Sequence, residues 1–137
     1  MGIVILDTNV LLDLFVFNDF RAIHLKAALQ SKQICALATP KTLEEFADVI
    51  SRPLFALDES TQADILRQWS SLATTIDDQR LSPAPWNCQD PDDQVFLDLA
   101  YSNKPCTLIS KDNEVLKLTS RAAKEQVLIT ADYSLAL

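Results

Sequence analysis

Ile3-Val4-Ile5-Leu6-Asp7-Thr8-Asn9 opens with four consecutive apolar residues, three of them β-branched, and an acid cuts the run off. So short a run with no polar alternation predicts a strand buried on both faces. A strand of that kind needs helices above and below its sheet, so the rest of the chain should supply them. Val10, Leu11, Leu14 and Phe15 follow at helical spacing. A second helical stretch covers about 20–30, and Ile34-Cys35-Ala36-Leu37-Ala38 is a second short apolar run. Strand and helix therefore alternate, which predicts a parallel sheet.

The remaining elements repeat the alternation. Thr39-Pro40 has the form of a helix N-cap and first helical residue. Leu43, Phe46, Ala47 and Ile50 continue at helical spacing, and Pro53 stops the helix near Ser51-Arg52. Asp58-Glu59-Ser60 starts another helix through Leu66 to Trp69, and 74–76 is expected to be a short strand. The polar stretch 77–87, with Pro83 and Pro85, is expected to be loop. Asp90-Pro91-Asp92-Asp93 opens a helix whose Val95, Phe96, Leu99 and Ala100 face inward, with Asn103 ending it in place of a glycine. A strand at 106–110, a short helix at 113–118, a strand at 126–130 and a last helical turn in the tail complete the expectation. The fold class is α/β: a three-layer α/β/α domain over 1–137 around a parallel sheet of about four to five strands.

Composition bounds the function. The chain has 137 residues, 48% apolar and 23% charged, which suits one globular domain with a real core. Its single glycine, Gly2, rules out Gly-rich phosphate loops of the Walker or Rossmann kind. The net charge of −7 argues against nucleic-acid binding through a broad basic surface. Cys35, Cys88 and Cys106 are scattered, and His24 is the one histidine, so a Cys/His zinc site is not expected. Free thiols, a start without a signal-peptide pattern and the lack of an apolar run near ~20 residues predict a cytoplasmic protein off the membrane.

Acids follow the predicted strands. Asp7 ends the first, and Lys111-Asp112 with Glu114 follows the strand at 106–110. Ligands of open α/β sheets bind beyond the carboxyl ends of the strands. If those two strands are parallel neighbours, Asp7 and Asp112 meet at one edge. The helix at Asp90 should start near that edge, bringing Asp92 and Asp93. Each acid alone has a structural explanation as a helix cap or first-turn residue. Converging carboxylates repel and raise one another's pKa unless a cation neutralises them. Oxygen donors of that kind suit Mg²⁺ or Mn²⁺.

Four elements in order carry a resemblance that covers almost the whole chain. They are Ile3–Leu12 with Asp7-Thr8-Asn9; Thr39-Pro40, Glu44-Glu45-Phe46 and 49–53; Asp90–Asp93 with Phe96-Leu97 and Leu99-Ala100; and 108–114. Together they resemble the PIN-domain family, in the branch described as toxin components of toxin–antitoxin systems. That resemblance implies a metal-dependent ribonuclease that hydrolyses phosphodiesters of single-stranded or structured RNA, leaving 5′-phosphate and 3′-hydroxyl ends. It implies one or two Mg²⁺ or Mn²⁺ ions, a cognate antitoxin protein and a homodimer. It carries the catalytic and metal-ligating roles onto Asp7, Glu45, Asp93 and Asp112, with Glu44 as the competing assignment for Glu45. Thr8, Asn9, Ser110, Glu114, Asp92 and Asp90 would support them. One departure is Asn103-Lys104-Pro105, where this branch often has a glycine.

Substrate contacts carry a weaker signal. Lys111 adjoins Asp112, Arg52 ends the second-element helix, and Lys117, Arg121 and Lys124 would share a face if their segment is helical. Trp69, Trp86 and Tyr101 are candidates for stacking on RNA bases, although buried aromatics are commoner. His24 is read as structural, and Asp13, Asp19 and Asp98 as solvated helix positions. Rival readings are a non-catalytic binding module of the same fold and another Mg-dependent phosphoryl enzyme. An aspartate-nucleophile phosphatase wants a second aspartate two residues after the first, where this chain has Asn9. A phospho-receiver wants an acidic pair before its first helix, which is absent.

Overall fold

The computed structural model describes residues 2–134. Five strands, β1 (Gly2–Leu6), β2 (Ile34–Ala38), β3 (Ala73–Thr75), β4 (Cys106–Ile109) and β5 (Val127–Thr130), pair in the order β3-β2-β1-β4-β5. Every pairing is parallel. The helices are α1 (Thr8–Phe15), α2 (Ile23–Gln30), α3 (Pro40–Ile50), α4 (Glu59–Leu72), α5 (Pro91–Ser102), α6 (Asn113–Leu116) and α7 (Thr119–Ala123).

Side chains alternate across the sheet, so each strand feeds two cores. Val4 and Leu6 join Ala36, Ala38 and Ile109 under α1 to α4. Ile5 joins Leu37, Leu108, Val127 and Ile129 under α5 to α7. This is the expected three-layer α/β/α arrangement. The layers also follow from handedness. The chain steps outward from β1 to β2 to β3, then crosses back to β4 and β5 on the other side of β1. Right-handed crossovers put the helices of these two runs on opposite faces. The sheet therefore has its switch point between β1 and β4, where a crevice opens beyond the strand ends.

Local signals explain the element ends. Thr39 and Thr42 form a reciprocal capping box ahead of α3, with Pro40 at its first position. Asp58 caps α4 by accepting from the Thr61 N–H at 2.7 Å. Several expectations shift. The stretch at 20–30 begins as a 3₁₀ turn, Phe20–Ala22, because Asp19 caps it by accepting from the Arg21 N–H at 2.9 Å. The helix expected at 113–118 stops at Leu116, and Thr119–Ala123 forms a separate helix. A 3₁₀ turn, Asp78–Arg80, lies within the polar stretch expected to be loop. Strand β3 is one residue earlier than expected, although the Ile76 N–H still reaches the Ala38 carbonyl at 2.8 Å. Asn103 does not take a left-handed cap: its φ is −123°, and its side-chain amide donates to the Leu99 carbonyl at 2.8 Å. The last turn of helix expected in the tail lies outside the described residues beyond Ser134.

Phe46 is fully buried and packs against Phe15 at 6.5 Å between ring centroids. Trp69 is also buried, 6.1 Å from Phe15, but its Nε1–H has no partner among the described residues. Phe46→Ala should therefore cost about 3–5 kcal/mol in urea denaturation. Trp69→Phe, which removes an orphaned donor, should cost no more than about 1 kcal/mol. Equal losses for the two would show that the indole N–H is satisfied.

Candidate active site

Register puts the first two functional side chains together. Leu6 pairs with Ile109, so Asp7 and Ser110 leave the sheet side by side. The Asp7 N–H donates to the Ile109 carbonyl at 3.0 Å, and the Ser110 N–H to the Thr130 carbonyl at 3.0 Å. Asp7 is only 3% exposed and caps α1. Its Oδ1 accepts from the Thr8 N–H at 2.7 Å, and its Oδ2 from the Ser110 hydroxyl at 2.7 Å. Ser110 Oγ in turn accepts from the Asp112 N–H at 3.0 Å. One hydroxyl thus fixes both acids.

The other acids come from different segments. Glu45, in the middle of α3, accepts from the Thr8 hydroxyl at 2.9 Å through Oε2, whereas Glu44 points to solvent and is exposed. Asp93 lies in the first turn of α5. Asp90 caps that helix through the Asp92 N–H at 2.9 Å, and Asp90 and Asp92 are both exposed. Asp112 caps α6 through the Glu114 N–H at 2.9 Å. Glu114 is exposed and paired with Lys117 at 2.8 Å. Asn9 Oδ1 accepts from the Lys111 N–H at 3.0 Å, which ties the turn after β4 to α1.

Electrostatics mark the same group. Burial holds Asp7 above the ordinary carboxylate value against the pull of hydrogen bonds from Ser110 and Thr8, and the Asp112 charge adds to it. Burial also raises Glu45, with Asp92 and Asp7 contributing. Asp93 is pushed up to about 7 by burial, then by the charges of Asp7 and Asp112. None of Asp7, Glu45, Asp93 or Asp112 has a lysine or arginine partner among the described residues.

Among the described residues, no three acidic, histidine or cysteine side chains already stand in ligating positions as a group. Asp7, Glu45 and Asp112 instead each direct an oxygen to a protein donor. Each carboxylate oxygen keeps a further lone pair. The donor chemistry fits a hard divalent cation: oxygen atoms only, negative charge in excess, and no internal counter-charge.

A family model described as PIN domain matches residues 3–114. The chain belongs to the PIN-domain family. Its fold is accordingly of the nuclease type, a family that commonly contains metal-dependent ribonucleases. No curated protein and no solved structure matches the chain. No helix among the described residues is long and apolar enough to cross a membrane.

Other candidates fall outside this PIN-domain site. Lys111 turns away: its ammonium pairs with Asp13 at 2.7 Å. Arg52 pairs with Asp48 at 3.2 Å, at the far end of α3 from Thr39. Trp69 and Trp86 are buried, at 1% and 2% exposure, so neither can stack on a base. Tyr101 is half-buried, edge-on to Trp86, with Lys104 over its face at 4.0 Å. Lys117, Arg121 and Lys124 do not share a helix, since α6 ends before α7 begins. His24 is exposed on α2.

The reading of Asp13 as solvated is overturned. It is 3% exposed, and its Oδ2 accepts from both Lys111 Nζ and the Tyr133 hydroxyl. Asp19 and Asp98 are half-buried: Asp19 caps a 3₁₀ turn and pairs with Arg21, and Asp98 accepts from the Ala84 N–H at 2.8 Å. Sequence spacing could not reveal Asp13, because its partners lie 98 and 120 residues away.

Two predictions follow from these contacts. Asp13→Asn and Tyr133→Phe should each destabilise the fold by about 1–3 kcal/mol. The double variant should lose less than the sum, because one bond is counted twice. Strict additivity in thermal melts would show that the two side chains act apart. Asp93→Asn should raise the Tm of the metal-free protein by about 3 °C, the scale of ~1 kcal/mol in a chain of this size once solvent screening is allowed for. An unchanged or lower Tm would mean that the acids do not strain one another.

Proposed function

We propose that this PIN-domain chain is a Mg²⁺- or Mn²⁺-dependent endoribonuclease, with Asp7, Glu45, Asp93 and Asp112 holding one or two ions. The observation that carries the reading is the gathering of carboxylates from four segments at the sheet's switch point, without a cationic side chain to balance them. Stability alone would not favour such a group, since buried like charges cost free energy.

A bound divalent cation supplies Lewis-acid polarisation of the phosphate and a more acidic water. The protein's own share is orientation. Ser110 and the Thr8 N–H hold both oxygens of Asp7. The Thr8 side chain fixes Glu45, so a single residue links the β1 end to α3. Ser110 also holds the Asp112 backbone. Glu45 and Asp93, both half-buried, are the carboxylates we assign to take a proton from the attacking water.

On the branch resemblance, the proposal extends to the toxin of a toxin–antitoxin pair, acting in the cytoplasm as a homodimer with an antitoxin protein as its partner. Growth arrest on expression, relieved by Asp7→Asn, would support that role.

The direct test incubates mixed single-stranded RNA with the protein and Mg²⁺ or Mn²⁺. EDTA should abolish cutting, and Asp7→Asn should slow it at least about a hundredfold, more than loss of an outer-shell partner. Cutting that persists unchanged in EDTA or in Asp7→Asn would sink this reading.

A further inference from the structure

Helix α5 has two sides at its N-terminus. One carries Asp93 toward the carboxylates. The other borders a groove of about 560 Å³, closed opposite by Lys41 at the start of α3 and by the 3₁₀ turn after β3. The wall formed by Lys41 and the 3₁₀ turn follows β2 and β3, and so lies beyond the carboxyl ends of those strands, at the edge that also holds Asp7. The groove and the carboxylates are continuous: Cys88 lines the groove, and its Sγ lies 4.0 Å from Asp93 Oδ2.

The groove's donors divide into used and free. Gln94 is saturated, donating to the Trp86 carbonyl and Asp98 and accepting from the Cys88 N–H. The two carboxylates that border the groove each face a protein donor. Asp78 Oδ2 takes the Lys41 N–H at 3.0 Å while its Oδ1 is buried with no partner among the described residues, and Asp98 Oδ1 takes Ala84 and Gln94. Three exposed side chains, Lys41, Asn87 and Gln89, make no hydrogen bond or ion pair among the described residues. Asp13 has taken Lys111, the cation nearest the acids in sequence. Among the described residues, Lys41 is thus a free ammonium beside this edge, with the unpaired Arg80 in the neighbouring 3₁₀ turn, in a protein whose net charge of −7 otherwise repels a polyanion.

We propose that this groove holds the nucleotide flanking the scissile phosphate of single-stranded RNA, with Lys41 on a backbone phosphate and the Asn87 and Gln89 amides on a base edge. The proposal rests on the ribonuclease reading above. Lysine serves phosphate as a point charge, and amides read hydrogen-bonding edges of unstacked bases. No aromatic side chain lines the groove, so hydrogen bonding rather than stacking holds the base.

The test measures RNA binding by the Asp7→Asn protein with labelled homopolymer oligonucleotides across a salt series, and cleavage by the otherwise wild-type chain. Lys41→Gln should lower the slope of log affinity against log salt by about 0.7, the value for one contact to a single strand. Lys124→Gln, at the opposite sheet edge before β5, is the control and should leave the slope unchanged. Asn87→Ala with Gln89→Ala should keep the slope but shift preference among the bases by about fivefold. Equal effects of Lys41→Gln and Lys124→Gln, in a protein that still cuts RNA, would overturn the groove and leave the nuclease standing. If no RNA is bound or cut under any condition, the ribonuclease reading fails and the groove fails with it.

Discussion

A single hydroxyl, that of Ser110, joins the beginning and the end of the chain's carboxylate edge. It donates to Asp7 and accepts from the Asp112 backbone, and both partners are in place only because β1 and β4 are hydrogen-bonded neighbours. About a hundred residues separate them, so ordering this contact carries a large loop-closure cost. The sheet meets that cost elsewhere, through the two apolar cores that clamp β1 from above and below. The site is thus a by-product of a well-packed centre: its acids sit where the strands stop and the backbone is already rigid.

Rigidity also explains how the protein tolerates the acids. Three of the four have a structural bond that would keep them in place without any ion. Asp7 caps α1, Asp112 caps α6, and Glu45 accepts from Thr8. The bonds to Asp7 and Glu45 partly offset their desolvation, while burial, and after it the charges of Asp7 and Asp112, keep Asp93 raised. Cap and ligand are therefore not competing explanations here. The capping bond uses one lone pair and orients the remainder toward the crevice.

The central sheet was legible because its code is local. The opening apolar run and those at 34–38 and 106–110 specify buried strands, and Thr39-Pro40 and Asp90-Pro91 specify helix starts. The acids could be aligned to one edge by the rule for strand ends. Asp13 shows where such reading stops. Its spacing on α1 suits a solvated position as well as a buried one, and only the three-dimensional meeting of α1, Lys111 and Tyr133 decides between them. For the tryptophans the commoner alternative holds: Trp69 and Trp86 are buried, and their helix and loop positions alone could not exclude an outward face. Turn chemistry was also underread, since Asp19 and Asp77 each start a 3₁₀ turn that length alone hides.

The bond between Tyr133 and Asp13 gives the domain a perimeter that similarity does not trace. The family match ends at residue 114, yet Tyr133 lies nineteen positions further on and reaches back to the first helix. Between them runs β5, which covers the outer edge of β4 and accepts the Ser110 N–H at Thr130. The segment beyond the shared pattern thus behaves as a clasp: it closes the sheet's exposed side and, through Lys111, holds the turn on which Asp112 stands. What unites this chain with its family and what keeps it folded are drawn along different borders.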